Sequence, residues 1–213
     1  MRRSRLPPRF LPELTLCLFL PLMAAGALAA TVESLWARLA AQDQAQGRFM
    51  QELLDEQGEL IERSSGAYAL LKPGYFRWEI DYPDRQQIVI ADDVLWHYDI
   101  DLASVTRRAV DHDGRFTALD LLARSSDELA DRFSVEVLDG DRFRLVPQFA
   151  QAGFSAVILS WDEDRLVAMD VQQRSGQTLS LVLSPDAEAP ALTAADFAFV
   201  VPEGVDLQTA IEN

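Results

Sequence analysis

The two histidines are the first residues to test for chemistry, because histidine acts as a metal ligand, a general base and the partner of a nucleophilic serine. His97 lies in an alternating apolar segment, and His112 lies in the Asp-His-Asp-Gly loop at 111–114. The two are not spaced as zinc ligands, and the loop lacks the other oxygen ligands and the closing glutamate of a calcium loop. The sequence therefore predicts no metal site, and we expect the loop to be a solvated turn.

Other catalytic patterns are also missing from the sequence. The chain contains no G-x-S-x-G nucleophile elbow, no phosphate-binding loop and no dinucleotide fingerprint. Carboxylate pairs such as Asp92/Asp93 and Asp99/Asp101 could supply acid–base chemistry, but with 34 acidic residues some pairs are expected by chance. We predict that the protein is not an enzyme and needs no cofactor.

The charge balance excludes another class of function. The 213 residues include 34 Asp and Glu against 19 Lys and Arg, which gives a formal net charge of −15. So acidic a chain repels phosphate backbones, and its basic residues cluster only at the start. Nucleic-acid binding is therefore excluded. The composition is otherwise that of an ordinary globular protein, 49% hydrophobic and 25% charged.

The first 29 residues are predicted to be a cleaved secretory signal peptide. A basic start precedes an apolar run at 14–28, and Ala27-Leu28-Ala29 forms an A-x-A cleavage site. An uncleaved membrane anchor is the alternative, but the run is short for a span and Pro21 interrupts it. Cleavage removes the only cysteine and leaves 15 basic and 33 acidic residues, a net charge of −18. We expect residues 30–213 to form one soluble, exported domain without disulfides.

The remaining chain changes from a helical period to a β period. Thr31 is predicted to cap a short helix with apolar residues on one face, and Thr117-Ala118-Leu119-Asp120 reads as the capping box of a second helix. About eleven short strand segments follow, separated by Gly and Asp-Gly turns; the early ones alternate apolar and polar residues, whereas 154–161, 166–171 and 179–183 are apolar at both parities. The predicted segments lie near 44–54, 60–71, 75–82, 86–91, 94–98, 103–109, 133–138, 142–147, 154–161, 165–172 and 177–183. This order indicates a mainly β fold, an antiparallel meander interrupted by one helix.

Large apolar side chains are predicted to line one face of this sheet, opposite the helices. If the strands are regularly pleated, six large apolar side chains lie on one face of the sheet, and the helices supply four more. The predicted lining consists of Phe49, Phe76, Trp78, Ile80, Trp96 and Tyr98 from strands, and Leu35, Trp36, Leu119 and Leu122 from helices. Periodicity alone leaves open whether this is a filled core or a lined cavity. The only lysine, Lys72, is either a solvated strand end or a specific contact.

An ordered series of short motifs resembles the LolA family of periplasmic carriers of outer-membrane lipoproteins. The series spans residues 47–205, and its strongest part is Lys72-Pro73-Gly74-Tyr75-Phe76-Arg77-Trp78. The other matching elements are Gly47-x-Phe49-x-Gln51, Gly66, Ile88-Val89-Ile90-Ala91-Asp92, Leu95-Trp96-x-Tyr98-Asp99, Asp101-Leu102, Val105-Thr106, Leu121-Leu122 and Phe197-x-Phe199-x-x-Pro202-x-Gly204-Val205.

The resemblance implies an incomplete barrel of eleven antiparallel strands, with helices as a lid over an apolar cavity that takes lipoprotein acyl chains. It implies a monomer in the periplasm of a Gram-negative bacterium. An inner-membrane ABC transporter would supply the cargo, and an outer-membrane lipoprotein receptor would accept it. Lys72 falls where the family has a basic residue, often Arg, that hydrogen-bonds the lid helix. Phe76 falls in a region that the family uses for cargo and transporter engagement.

Three positions depart from the family pattern, and two other functions stay open. Lys72 stands in place of Arg, Asp93 in place of a turn glycine and Ala118 in place of a proline that opens the lid helix. One alternative is a carrier or sensor of another lipid, such as a glycolipid or a polyene, on the same fold. The other is an esterase that acts on a lipid in the cavity.

The signal-peptide assignment predicts that the exported protein begins at Ala30. Amino-terminal sequencing of the protein from a periplasmic extract should return Ala-Thr-Val-Glu-Ser. Retention of the apolar run at 14–28 in the exported form would contradict a soluble carrier, because that run would tether the chain to the inner membrane.

Overall fold

The structure is a computed structural model that describes residues 30–110, 120–150 and 152–209. Its first helix forms where the sequence predicts it. Helix α1 covers Val32–Ala41. The Thr31 hydroxyl accepts from the Ser34 backbone N–H, and the Ser34 hydroxyl accepts from the Thr31 N–H, which forms a capping box. Leu35 and Leu39 are buried on the apolar face of α1.

All strands of the described residues belong to one twelve-stranded sheet. Eleven of them occupy the predicted segments and pair in an antiparallel manner. They are β1 (Gln44–Leu54), β2 (Leu60–Leu71), β3 (Tyr75–Tyr82), β4 (Gln86–Ala91), β5 (Val94–Asp99), β6 (Ser104–Ala109), β7 (Phe133–Val137), β8 (Arg142–Pro147), β9 (Phe154–Asp162), β10 (Arg165–Gln173) and β11 (Thr178–Pro185). The twelfth, β12 (Asp206–Thr209), was not predicted; it is exposed throughout and pairs with β6 in parallel.

The strand order leaves the sheet open. It runs β12-β6-β5-β4-β3-β2-β1-β11-β10-β9-β8-β7, so that β1 and β11 join the two halves of the meander at the centre. Strands β12 and β7 are the two edges and do not pair with each other. The predicted incomplete barrel, mainly β with few helices, is therefore confirmed.

Two short helices, not one, lie between β6 and β7 in the described residues. They are α2 (Asp120–Ala123) and α3 (Ser126–Ala130), and the Ser125 hydroxyl accepts from the Glu128 N–H at the start of α3. The predicted capping box at Thr117, the turn at 111–114 and the position Ala118 lie outside the described residues.

Apolar residues on one face of the sheet form the main core with the helices. We call this the inner face; it carries Phe49, Phe76 and Trp78, which are all buried. Leu35 and Leu39 from α1, Leu121 and Leu122 from α2 and Leu129 from α3 join the same cluster. The helices therefore cover the apolar face of the sheet, as one-sided sheets require.

The segment after β11 crosses the opposite, outer face. The Gln46 side-chain amide donates to the Pro190 carbonyl, and the Leu192 N–H donates to the Gln44 side chain. Further on, Arg77 donates to the carbonyl of Asp196, and Phe197 is buried with residues of β2 and β4. This segment ties the central strands to the edge, where β12 pairs with β6.

One end of the sheet gathers the turns that surround α1. In an antiparallel meander, alternate turns lie at the same end. The β2–β3, β4–β5, β7–β8 and β9–β10 turns therefore share an end with the start of β1, which directly follows α1. We call this the helix end.

Gly66 permits a close packing arrangement at the centre of the inner face. It pairs with Phe49 of β1, whose ring stacks on Trp78 with centroids 3.7 Å apart. A Cβ atom at Gly66 would collide with the Glu79 carbonyl oxygen and lie 2.9 Å from the Phe49 ring. Only glycine therefore allows β3 and the Phe49 ring to approach β2 this closely.

Gly66→Ala is expected to destabilise the fold by about 3 kcal/mol, because the added methyl group overpacks a site bounded by backbone. Chemical unfolding of the two proteins measures this difference. Gly58→Ala serves as the control, since its Cβ would meet nothing within 4 Å and only its φ of +82° opposes the substitution. A Gly66→Ala protein as stable as the Gly58→Ala protein would contradict the packing argument.

Candidate functional site: the apolar interior under the helices

Most of the predicted lining residues do come together under the helices. Five belong to one buried cluster and two more pack against it. The five are Leu35, Phe49, Phe76, Trp78 and Leu122, and the two are Trp36 and Ile80. Leu119 lies outside the described residues.

Aromatic rings form the centre of this interior. The Trp78 ring stacks with Phe49, at 3.7 Å between centroids, and with Phe76, at 5.9 Å. Tyr68, which is not among the predicted lining residues, adds a ring 6.2 Å from Trp78. Burial raises the pKa of Tyr68 to about 12, so its phenol is neutral at every physiological pH. The interior therefore presents flat, uncharged surfaces.

Trp96 and Tyr98 do not belong to this interior, and their prediction as lining residues was wrong. Trp78 pairs with Ile88 and Ile88 pairs with His97, so His97 and not its neighbours shares the inner face. Trp96 instead stacks on Phe199 at 5.2 Å, and Tyr98 contacts the same ring at 6.3 Å. The physical reason is that the C-terminal segment gives the outer face its own apolar cover.

A two-residue turn between β4 and β5 sets the register of β5, and this register places Trp96 and Tyr98 on the outer face. Asp92 and Asp93 both adopt left-handed backbone, with φ of 51° and 59°, as a tight hairpin between β4 and β5 requires. Aspartate tolerates this conformation better than most residues, so Asp93 can stand where the family has glycine.

The strands after the helices supply a large part of the interior, and none of their residues is among the predicted lining residues. These buried residues are Phe143, Leu145, Phe154, Val157, Leu159, Trp161, Met169, Val171, Leu181 and Leu183. The available signal was the near-continuous apolar character of β9, β10 and β11. This apolar character indicates that the strands are buried, but it does not indicate which of their residues lie on the inner face of the sheet.

Lys72 hydrogen-bonds to α1, as expected of a residue that holds this helix closed over the sheet; we call such a contact a latch. Its ammonium donates to the Leu39 carbonyl near the end of the helix at 2.8 Å, and its backbone N–H donates to the Asp43 carbonyl at 2.7 Å. Burial lowers the pKa of Lys72, and the nearby Asp43 carboxylate partly opposes that effect. The ammonium is therefore held at a desolvation cost by a specific contact with the helix.

Arg38 contacts a different part of the helix end. Its guanidinium lies 3.3 Å from the Asp141 carboxylate, in the β7–β8 connection, and 3.9 Å from that of Asp164, in the β9–β10 turn. The same group lies 5.7 Å from the centre of the Trp161 ring. Helix α1 thus bridges the helix end from Lys72 on one side to these turns on the other.

A pocket of about 350 Å³ opens beside the interior at the helix end. Phe76 and Ile90 of the sheet form part of its wall. Its other lining residues are Pro73, Gly74, Asp93, Val110, Ala123, Arg124, Ser125 and Glu128. It therefore lies between the β2–β3 turn and helices α2 and α3, next to the Lys72 contact.

The chemistry of the interior is that of apolar contact. Ser64 is the one polar residue that is buried in the described part of the chain. His97 shares a 3.0 Å hydrogen bond with Gln86. Within residues 30–110, 120–150 and 152–209, no group of His, Cys, Asp or Glu is arranged to hold a metal ion. No helix of those residues is long and apolar enough to cross a membrane.

Comparisons with known proteins agree with these observations. The family described as "Outer membrane lipoprotein carrier protein LolA" matches residues 41–200. An outer-membrane lipoprotein carrier protein of Chromohalobacter salexigens is 31% identical over 162 residues, which cover 75% of this chain and 77% of that protein. The Bordetella pertussis protein of that name is 34% identical over 191 residues, 87% of this chain and 90% of its own.

A solved structure shares the fold. An uncharacterized conserved protein from Thermus thermophilus superposes with a TM-score of 0.53 and 15% sequence identity, covering 84% of this chain and 98% of the other. The family match spans well over half of the 213 residues; it begins at Ala41, the last residue of α1, includes the inner-face aromatics and ends at Val200, before β12. The chain belongs to the LolA family of outer-membrane lipoprotein carrier proteins.

Proposed function

We propose that this protein carries lipoproteins across the periplasm by holding their acyl chains in the interior under the helices. The inner-membrane ABC transporter of the lipoprotein-releasing type supplies the cargo, and an outer-membrane lipoprotein receptor accepts it. The observation that carries the proposal is an apolar, aromatic inner face covered by short helices, of which α1 is tied to the sheet turns by the polar contacts of Lys72 and Arg38.

Acyl chains explain why such an interior is useful. Each methylene gains about 0.8 kcal/mol when it leaves water, so a lipid-modified protein leaves a membrane extremely slowly by itself. A carrier must replace the bilayer with an equally apolar surface. The rings of Phe49, Phe76 and Trp78 offer that surface without a charged group that would select a head group.

Release requires that the empty state also be stable. In the structure, Leu35, Leu39 and Leu129 of the helices occupy the inner face that cargo would cover. Cargo affinity is therefore the difference between acyl-chain contacts and the helix contacts that cargo displaces. The Lys72 hydrogen bond to Leu39 favours the empty, closed state and lowers the affinity for cargo.

Acyl-chain recognition is tested by displacement of a bound fluorophore. An acyl-chain fluorophore should bind the purified protein, and a triacylated lipopeptide should displace it, while the same peptide without acyl chains should not. The reason is that the interior provides apolar area but few polar partners. Equal displacement by both peptides would show that the acyl chains are not recognised.

The same assay distinguishes the alternative functions. Preference for a glycolipid or a polyene over the lipopeptide would favour a carrier or sensor of another lipid. Hydrolysis of acyl esters by the purified protein would favour the esterase.

Lys72→Leu is expected to bind lipopeptide roughly tenfold more tightly and to release it more slowly, because a charge-assisted hydrogen bond that opposes loading is lost. Lys72→Arg, with a planar group of five donors, should close the helix more firmly and weaken loading. Dissociation rates of a fluorescent lipopeptide from the three proteins measure the effect.

Arg48→Leu provides the matched control. Arg48 lies on the outer face, where its exposed side chain pairs with Asp81, so this variant should release lipopeptide at the wild-type rate. Identical rates for wild type and both Lys72 variants would remove the support for a latch.

A further inference from the structure

A second polar cluster lies where α1 meets the inner face. Trp161 is 6% exposed and belongs to the buried inner-face cluster. Arg38, on α1, places its guanidinium carbon 5.7 Å from the centre of the Trp161 ring. One residue thus belongs to the covering helix and the other to the wall of the interior.

Two hydrogen-bond donors of this cluster are buried without a partner among the described residues. They are Nη1 of Arg38 and Nε1 of Trp161. Buried donors in proteins almost always have an acceptor, and an unpaired donor is costly because its hydration has been lost. The pair therefore points to an acceptor that a bound molecule would bring.

The surrounding charges decide the kind of acceptor. Asp141 and Asp164 lie 3.3 and 3.9 Å from other nitrogen atoms of the Arg38 guanidinium. Two carboxylates beside one guanidinium leave the cluster without a net positive charge that would attract a phosphate or a carboxylate. A neutral carbonyl oxygen, which accepts hydrogen bonds without a charge, fits both donors.

We propose that Arg38 and Trp161 form a subsite for the ester carbonyl at the head of a bound acyl chain. This inference rests on the carrier function proposed above. The acyl chain lies against the inner face, and its ester accepts a hydrogen bond from Trp161 Nε1, Arg38 Nη1 or both. The closed state leaves these donors unpaired, so a cargo carbonyl that pairs with them favours loading. This effect opposes that of the Lys72 hydrogen bond, which disfavours loading.

Two matched lipopeptides test the subsite. Both carry the same peptide and two chains of equal length on the S-glyceryl group, joined by ester bonds in one and by ether bonds in the other. The ether lipopeptide lacks the carbonyl oxygens and keeps the apolar chains. Affinities for each are measured with the wild type, Arg38→Met and Trp161→Phe, which remove the donors but keep most of the apolar packing.

The outer face supplies control variants of the same kind. Arg107 lies 5.5 Å over the Trp96 ring, remote from the interior. Arg107→Met and Trp96→Phe therefore repeat the same two changes in an arginine–tryptophan pair on the face of the sheet opposite the proposed binding interior. Thermal unfolding of all four variants checks that each is folded at the assay temperature.

The wild type is expected to bind the ester lipopeptide roughly three- to tenfold more tightly than the ether lipopeptide, as for one or two added hydrogen bonds. Arg38→Met and Trp161→Phe should reduce this preference, while both control variants keep it. Equal affinities of the wild type for the two lipopeptides, or an unchanged preference in both interior variants, would overturn the subsite. If neither lipopeptide binds better than the bare peptide, the carrier function is overturned instead.

Discussion

The fold depends on one constraint, that an open sheet with an apolar face must keep that face away from water. Phe49, Phe76 and Trp78 on β1 and β3, together with the leucines and aromatics of β8 to β11, would expose a large apolar surface without a cover. Helices α1, α2 and α3 supply that cover in this structure. Any ligand that replaces them must itself be apolar over a comparable area, which is why we propose acyl chains as the cargo.

The two faces of the sheet solve this constraint with different elements. Short helices joined through turns cover the inner face, whereas the outer face is covered by a segment that hydrogen-bonds to Gln44, Gln46 and Arg77 and ends as β12. The outer cover is thus tied to the sheet by directional bonds along its length. At the end of α1, by contrast, the polar contacts are those of Lys72, Arg38 and their partners. The other contacts of α1 with the inner face are apolar and include those of Leu35 and Leu39.

Local sequence signals predicted the elements well, because each was decided by neighbours along the chain. Thr31 and Ser34 cap α1 through bonds that span three residues, and the alternation in β3 placed Phe76 and Trp78 on one face correctly. Local sequence signals gave the wrong face where a segment distant in the chain determines which side of the sheet is covered. Trp96 and Tyr98 look identical to interior aromatics in sequence, yet Phe199, a residue a hundred positions away, covers them on the other face.

The strand meander, the acidic character and the family resemblance could all be read from the chain alone, because periodicity, composition and motif order are properties of the sequence. Which apolar residues meet depends on the folded sheet, since a strand with apolar residues at both parities does not reveal which face another segment will cover. The contact of the sole lysine with the Leu39 carbonyl and the position of Arg38 over Trp161 also depend on it. These contacts join residues from separate elements, and they form only when the sheet brings β2, β9 and α1 to the same end.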